Sequence, residues 1–281
     1  MTDIMVTGAN GFIGQKLIEN LKHSDYSVYG AGSSNGDISL PETWEQFPET
    51  SVLVHLAAKS FVPDSWKDPV AYLQNNCFGT SYALEYCKRY RAKLIFLSSY
   101  MYGDPLSLPI SEDAPVYVNN PYALSKSLAE QVCRFYSENF RVQSYILRPF
   151  NVYGHGQAES FLIPTIISQV RAGNVIRVAD LRPSRDYVYI KDLVNAITST
   201  ISYNGKCHIF NIGSGVSYSV EELIQMVQLI LNTSLPVINA DIRRPGEIMD
   251  TVANISAAKA ELGWVPKFNL KDGLVDMLSQ S

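Results

Sequence analysis

Short apolar runs alternate with longer amphipathic stretches along this chain. Ile4 to Thr7, Ser27 to Gly30, Ser51 to Leu56, Lys93 to Leu97, Tyr145 to Leu147 and Val175 to Val178 are brief and strand-like. Ser51 to Leu56 and Lys93 to Leu97 read as strands buried on both faces of a parallel sheet. Between the strands, Gln15 to Leu21, Val70 to Arg89, Tyr122 to Phe140, Phe161 to Val170 and Ala257 to Leu262 read as helices. Asn254 to Ser256 caps the last of these, and Gly263 ends it. Strand and helix in alternation predict an α/β fold. A length of 281 residues suits one large unit with a smaller lobe.

Three stretches carry candidate chemistry. The first strand breaks into Gly8-Ala9-Asn10-Gly11-Phe12-Ile13-Gly14 and opens a helix. Glycines placed there let backbone approach a diphosphate, which then sits at the positive end of the helix. In the second stretch, Tyr122 and Lys126 are four residues apart, so a helix stacks them on one face. Pro121 suits the first helical position. An ammonium beside a phenol favours the phenolate and brings a pKa of about 10 toward the working range. The pair is therefore a candidate acid/base. In the third stretch, Ser98 and Ser99 end the strand Lys93 to Leu97. Ligands bind at the carboxyl ends of strands in open α/β sheets, and a hydroxyl there can donate to a developing alkoxide.

Composition narrows the field. A net charge of −4 offers no polyanion-binding surface, so nucleic acid is not expected as a partner. No apolar run is long enough to cross a membrane, and no signal peptide is expected. Cys77, Cys87, Cys133 and Cys207 are scattered and read as reduced thiols of a cytoplasmic protein. His23, His55, His155 and His208 are too dispersed to suggest a metal site.

The glycine spacing resembles the extended short-chain dehydrogenase/reductase family, of the NAD-dependent epimerase/dehydratase type. Further segments share that resemblance: His55-Leu56-Ala57-Ala58, Asn76-Cys77-Phe78-Gly79-Thr80, Ser98 to Gly103, Tyr122-x-x-x-Lys126, Arg148-Pro149-Phe150-Asn151-Val152-Tyr153-Gly154, Arg185 to Asp192, and Arg243 to Glu247. The resemblance implies a Rossmann doubly wound parallel sheet with a smaller C-terminal α/β lobe for substrate. Residues 1–154, joined again by 183–205, would form the NAD(P)-binding domain, and 155–182 with 206–281 the lobe. It implies Ser98, Tyr122 and Lys126 as the catalytic set, with a one-residue shift of register exchanging Ser98 and its neighbour Ser99. It implies cofactor contacts from Gly8, Asn10, Gly11, Phe12, Ile13, Gly14, Ser33, Ser34, Asp37, Ile38, Leu56, Ala57, Ala58 and Lys59, besides Tyr122 and Lys126. It implies a nucleotide-diphosphate sugar held by Ser99, Tyr100, Asn151, Arg185, Arg244 and Glu247, with Asn76 structural. The two long helices would pair across a two-fold axis in a homodimer.

Two departures from the family patterns select among its chemistries. Ala31 to Asn35 carries no acid after the second strand, which favours NADP over NAD. Ser99-Tyr100 stands where the 4,6-dehydratases have Asp-Glu. Both departures point to nucleotide-sugar 4-ketoreductases, such as those of GDP-4-keto-6-deoxymannose and CDP-4-keto-3,6-dideoxyhexose. A 4-epimerase with tightly bound NAD is the alternative reading, and a dinucleotide-sensing protein without catalysis a further one.

Overall fold

The computed structural model describes residues 2–206, 208–242 and 247–280. Eleven strands and eleven α-helices are described, with a short 3₁₀ turn at Ser33–Asn35. The first half of the chain forms β1 (Thr2–Thr7), α1 (Phe12–Leu21), β2 (Tyr26–Ala31), α2 (Pro41–Glu45), β3 (Val52–His55), α3 (Val62–Ser65), α4 (Pro69–Tyr72), α5 (Gly79–Tyr90), β4 (Lys93–Leu97) and α6 (Pro121–Phe140). The second half forms β5 (Ser144–Pro149), β6 (Asn151–Tyr153), α7 (Leu162–Ala172), β7 (Ile176–Val178), β8 (Ser184–Tyr189), α8 (Ile190–Ser202), β9 (Ile209–Ile212), β10 (Ser217–Ser219), α9 (Val220–Ile230), β11 (Val237–Asn239), α10 (Ser256–Leu262) and α11 (Leu270–Ser279).

Six parallel strands make the main sheet, in the order β2-β1-β3-β4-β5-β9. Alternate side chains of each strand enter opposite cores. In β4, Leu94 and Phe96 join a core with Ala83, Leu84 and Cys87 of α5 and Ala129 and Cys133 of α6. Ile95 and Leu97 point the other way, into a larger core with Leu17 and Leu21 of α1 and Leu193 and Ile197 of α8. That core continues into the lobe through Ile163, Ile166, Leu223 and Leu274. The lobe adds a sheet ordered β10-β8-β6 and a parallel pair of β11 and β7.

One boundary differs from the sequence expectation. Residues 206–281 were assigned to the lobe, yet β9 pairs with β5 along Ile146↔Ile209 to Pro149↔Ile212 and completes the main sheet. Within 183–205, α8 packs on α1, whereas β8 belongs to the small sheet. Parallel pairing does not depend on sequence proximity, so a four-residue strand can return to the sheet from within a lobe segment.

Two helices shape the site. Asn120 caps α6, its side chain accepting from the Ala123 amide at 2.8 Å, with Pro121 in the first turn. The helix from α4 to α5 passes through a π-helical turn, Leu73–Phe78. Such turns project a side chain out of regular register, and this one holds Asn76. Among the described residues no helix is long and apolar enough to cross a membrane. No group of His, Cys, Asp and Glu among them could hold a metal ion.

Candidate active site

The glycine turn is built by backbone contact. Gly8 has φ 70°, a conformation that favours glycine, and a Cβ there would lie 2.8 Å from the Ala57 amide nitrogen. A Cβ on Gly14 would lie 2.2 Å from the Gly8 carbonyl oxygen. The Gly11 amide donates to that same carbonyl at 2.9 Å. Gly11 precedes α1 and no side chain caps the helix. The first-turn amides of Phe12, Ile13 and Gly14 therefore have neither an intrahelical partner nor a side-chain cap. A cradle that any side chain would fill, set at an uncapped helix start, fits a dinucleotide diphosphate.

The other expected cofactor contacts surround this turn unevenly. Asn10 packs on Gly32 at the end of β2, where a Cβ would lie 2.3 Å from the Asn10 amide nitrogen. Ser33 and Ser34 follow, both exposed. Asp37 is exposed, and one of its carboxylate oxygens already accepts from the Ser39 amide at 2.9 Å and the Ser39 hydroxyl at 2.8 Å. Ile38 is only 9 % exposed and sits in the core beside Trp44, whose indole N–H donates to the Ile38 carbonyl at 2.8 Å. Leu56, Ala57 and Ala58 are half-buried beyond β3. Lys59 is exposed, and its backbone is fixed by Asn76, which accepts from the Lys59 amide at 2.8 Å and donates to the Lys59 carbonyl at 2.9 Å. Asn76 also donates to Ser125 at 2.9 Å. It thus ties the end of β3 to the helix that carries Tyr122.

The serines at the end of β4 divide their duties. Ser98 continues the strand alternation of Leu94 and Phe96, so its side chain enters the core under α6. There it donates to the Glu130 carboxylate at 2.5 Å. The Ser98 hydroxyl, expected beside Tyr122, is instead engaged by Glu130. Burial pushes the Tyr122 pKa up to about 12, with Ser99 drawing it back. The Tyr72 ring stands edge-on to Tyr122 at 6.4 Å, and its hydroxyl donates to the Phe61 carbonyl at 2.6 Å.

Lys126 lies on the same face of α6, and its ammonium donates to the Leu97 carbonyl at 2.6 Å and sits 4.3 Å from the centre of the Phe96 ring. Burial lowers its pKa to about 8, while Glu130 and Cys133 oppose the shift. The sequence expected Lys126 to depress the Tyr122 pKa. Burial of the phenol outweighs any such effect in this structure.

The substrate side is lined from both parts of the chain. Tyr100 stacks on Phe150 with ring centroids 4.8 Å apart, and its hydroxyl donates to Asn151 at 3.1 Å. Asn151 in turn donates to the Asp186 carbonyl at 3.0 Å. Arg185 pairs with Glu247 at 2.5 Å and donates to the Ile248 carbonyl at 2.7 Å. The two residues expected to clamp substrate from separate motifs thus meet each other. Arg244, the other expected clamp, lies outside the described residues. Nearby, the buried Tyr187 hydroxyl has no hydrogen-bond partner among the described residues.

Sequence reading missed Glu130 and Tyr72. Glu130 was detectable, since it stands four residues beyond Lys126 on the same helical face. Tyr72 had no such signal, because its contact with Tyr122 is made by folding alone.

Known proteins match this chain along nearly its full length. The model of the NAD dependent epimerase/dehydratase family matches residues 4–213. A putative UDP-glucose 4-epimerase of Methanocaldococcus jannaschii is 32% identical over 295 residues, covering 96% of this chain and 95% of that protein. A GDP-6-deoxy-D-mannose reductase of Pseudomonas aeruginosa is 29% identical over 295 residues, covering 98% and 96%. The structure of RMD from Pseudomonas aeruginosa complexed with NADPH superposes with a TM-score of 0.91 at 27% identity, covering 99% of this chain and 98% of that one. The glycine cradle, the Tyr122 and Lys126 helix and these matches agree: the chain belongs to the NAD dependent epimerase/dehydratase family.

Proposed function

We propose that this protein reduces the 4-keto group of a nucleotide-diphosphate 6-deoxyhexose, using NADPH as a cosubstrate that it releases. The observation that carries the reading is the end of β2. There the chain presents exposed Ser33 and Ser34 and no carboxylate. A carboxylate at that position binds ribose hydroxyls and repels a ribose phosphate. Two serines repel nothing and can hydrogen-bond the phosphate.

When bound, the dinucleotide supplies hydride to C4 of the sugar. Tyr122 carries its proton at neutral pH, since burial raises its pKa to about 12. It is therefore set to deliver that proton to the oxygen formed at C4. Ser99 donates a hydrogen bond to the same oxygen. Lys126 holds the nicotinamide ribose. Gly8, Gly11, Phe12, Ile13 and Gly14 hold the cofactor diphosphate, and Asn10 braces their turn. Leu56, Ala57, Ala58 and Lys59 line the way to the nicotinamide, and Asp37 the adenosine end. Asn151, Tyr100 and Arg185 take the sugar diphosphate, with Glu247 releasing Arg185 to it.

A second reading, a nucleotide-sugar 4-epimerase, is favoured by the Methanocaldococcus jannaschii relative. Mass analysis of the purified protein separates the two. The reductase reading expects no bound dinucleotide, whereas stoichiometric NAD supports the epimerase.

The outer faces of α5 and α6 also enter the proposal. Phe78, at the turn leading into α5, and Leu124 and Phe135 of α6 are exposed. An apolar face of this kind suits a homodimer, and light scattering at micromolar concentration tests it. A monomer would contradict it.

A further inference from the structure

We propose that Glu130 is a positioning residue for the acid/base pair: one helical turn from Lys126, its carboxylate fastens the segment carrying Ser99 to α6. The inference rests on the roles given above to Ser99, Tyr122 and Lys126.

Three elements meet at this one carboxylate. Glu130 belongs to α6, Ser98 follows β4 directly, and Arg148 belongs to β5. One Glu130 oxygen accepts from the Ser98 hydroxyl at 2.5 Å and from Arg148 Nε at 3.0 Å. The other accepts from Arg148 Nη2 at 2.5 Å. The remaining arm of Arg148 donates to the Tyr102 hydroxyl at 2.9 Å and to the Glu112 carbonyl at 3.1 Å. Tyr102 donates on to Asn211 of β9 at 2.5 Å. Glu130 and Arg148 are 4 % and 3 % exposed, so the pair is held in a medium where geometry is tightly specified. Ser98 is covalently joined to Ser99. Fixing its side chain to α6 fixes the peptide that presents Ser99 to Tyr122 on the same helix.

The electrostatic half follows from spacing. Lys126 and Glu130 are one helical turn apart, about 6 Å along the axis. Lys126 is only 2 % exposed, and burial disfavours its charged form. The titratable groups that face it are Glu130 and Cys133 on its own helix and His55 on β3. Burial keeps His55 neutral and raises the Cys133 thiol. Glu130 is therefore the anion that holds the proton on Lys126. Glu130 itself faces Ser98, Arg148, Tyr102, Lys126 and Cys133. A purely structural ion pair would need none of this relation to Lys126.

The test reads the Lys126 titration in the cofactor-free protein by NMR of ¹³Cε-labelled lysine, with Lys126→Met assigning the signal. In Glu130→Gln the amide keeps shape and an acceptor but loses the charge. The Lys126 midpoint should fall by about one pH unit, a tenfold change in proton affinity. An unchanged midpoint in the folded variant overturns the proposal. If Arg148, left unpaired, unfolds that variant, Glu130→Gln with Arg148→Met is compared with Arg148→Met alone, and the fall of the Lys126 midpoint between those two is read instead. Unfolding of both variants also counts against it, because the pair would then act on stability alone. Full activity in Tyr122→Phe would sink the acid/base reading without moving the Lys126 midpoint, so the two failures are distinct.

Discussion

The Ser98 hydroxyl donates to the Glu130 carboxylate at 2.5 Å, inside the core, while its neighbour Ser99 draws back the rise that burial imposes on the Tyr122 pKa. Ser99→Ala should lower kcat by about 10²–10³-fold, the usual cost of one donor to a developing oxyanion. Ser98→Ala should cost less than about tenfold, because the Arg148 bonds to Glu130 remain. Steady-state kinetics on the two variants decides. The reverse order would return the catalytic role to Ser98.

The end of β2 sets the cofactor. Ser33→Asp places a carboxylate where the adenosine ribose phosphate is proposed to bind. NADPH affinity should fall at least about tenfold, by like-charge repulsion, while NADH affinity holds or improves. Fluorescence titration with each nucleotide measures this. Equal weakening of both would show that Ser33 lies away from the ribose.

Much of this site could be read before folding. The glycine turn and the Tyr122 and Lys126 pair depend on local spacing, and local spacing survives into the structure. The bond from Ser98 to Glu130 was not legible, because it joins a strand end to a helix 32 residues away. Ile38 packs against Gly79, 41 residues on, a contact that only folding makes. Arg185 and Glu247 were expected as separate clamps and instead pair with each other, 62 residues apart in sequence. The membership of β9 in the main sheet was hidden for the same reason, since so short a run, three apolar residues and Asn211, suits either part of the chain.

His55 makes the fold sensitive to acid. It is fully enclosed, its Nδ1 lies 2.8 Å from the Thr7 hydroxyl, and its other ring nitrogen has no partner among the described residues. Burial, with a smaller contribution from Lys126, lowers its pKa from 6.5 to about 3. Between those values the unfolded chain binds a proton that the folded protein does not, so stability falls as pH drops below 6.5. At about pH 4.5 the loss from this one group is roughly 3 kcal/mol. Denaturant unfolding of the protein and of His55→Gln, at pH 7 and about pH 4.5, should show a smaller acid loss in the variant. Equal losses would place the acid sensitivity elsewhere.

The central claim is that Tyr122 protonates a ketone reduced at the expense of NADPH. The most direct measurement follows absorbance at 340 nm with purified protein, NADPH or NADH, and a panel of 4-keto-6-deoxy sugar nucleotides carrying GDP, CDP, dTDP or UDP. Stoichiometric NADPH oxidation with at least one of them, faster than with NADH and abolished in Tyr122→Phe, is the predicted result. Oxidation of neither nucleotide across the panel, with interconversion of UDP-hexoses by protein-bound NAD and no net redox, would contradict it.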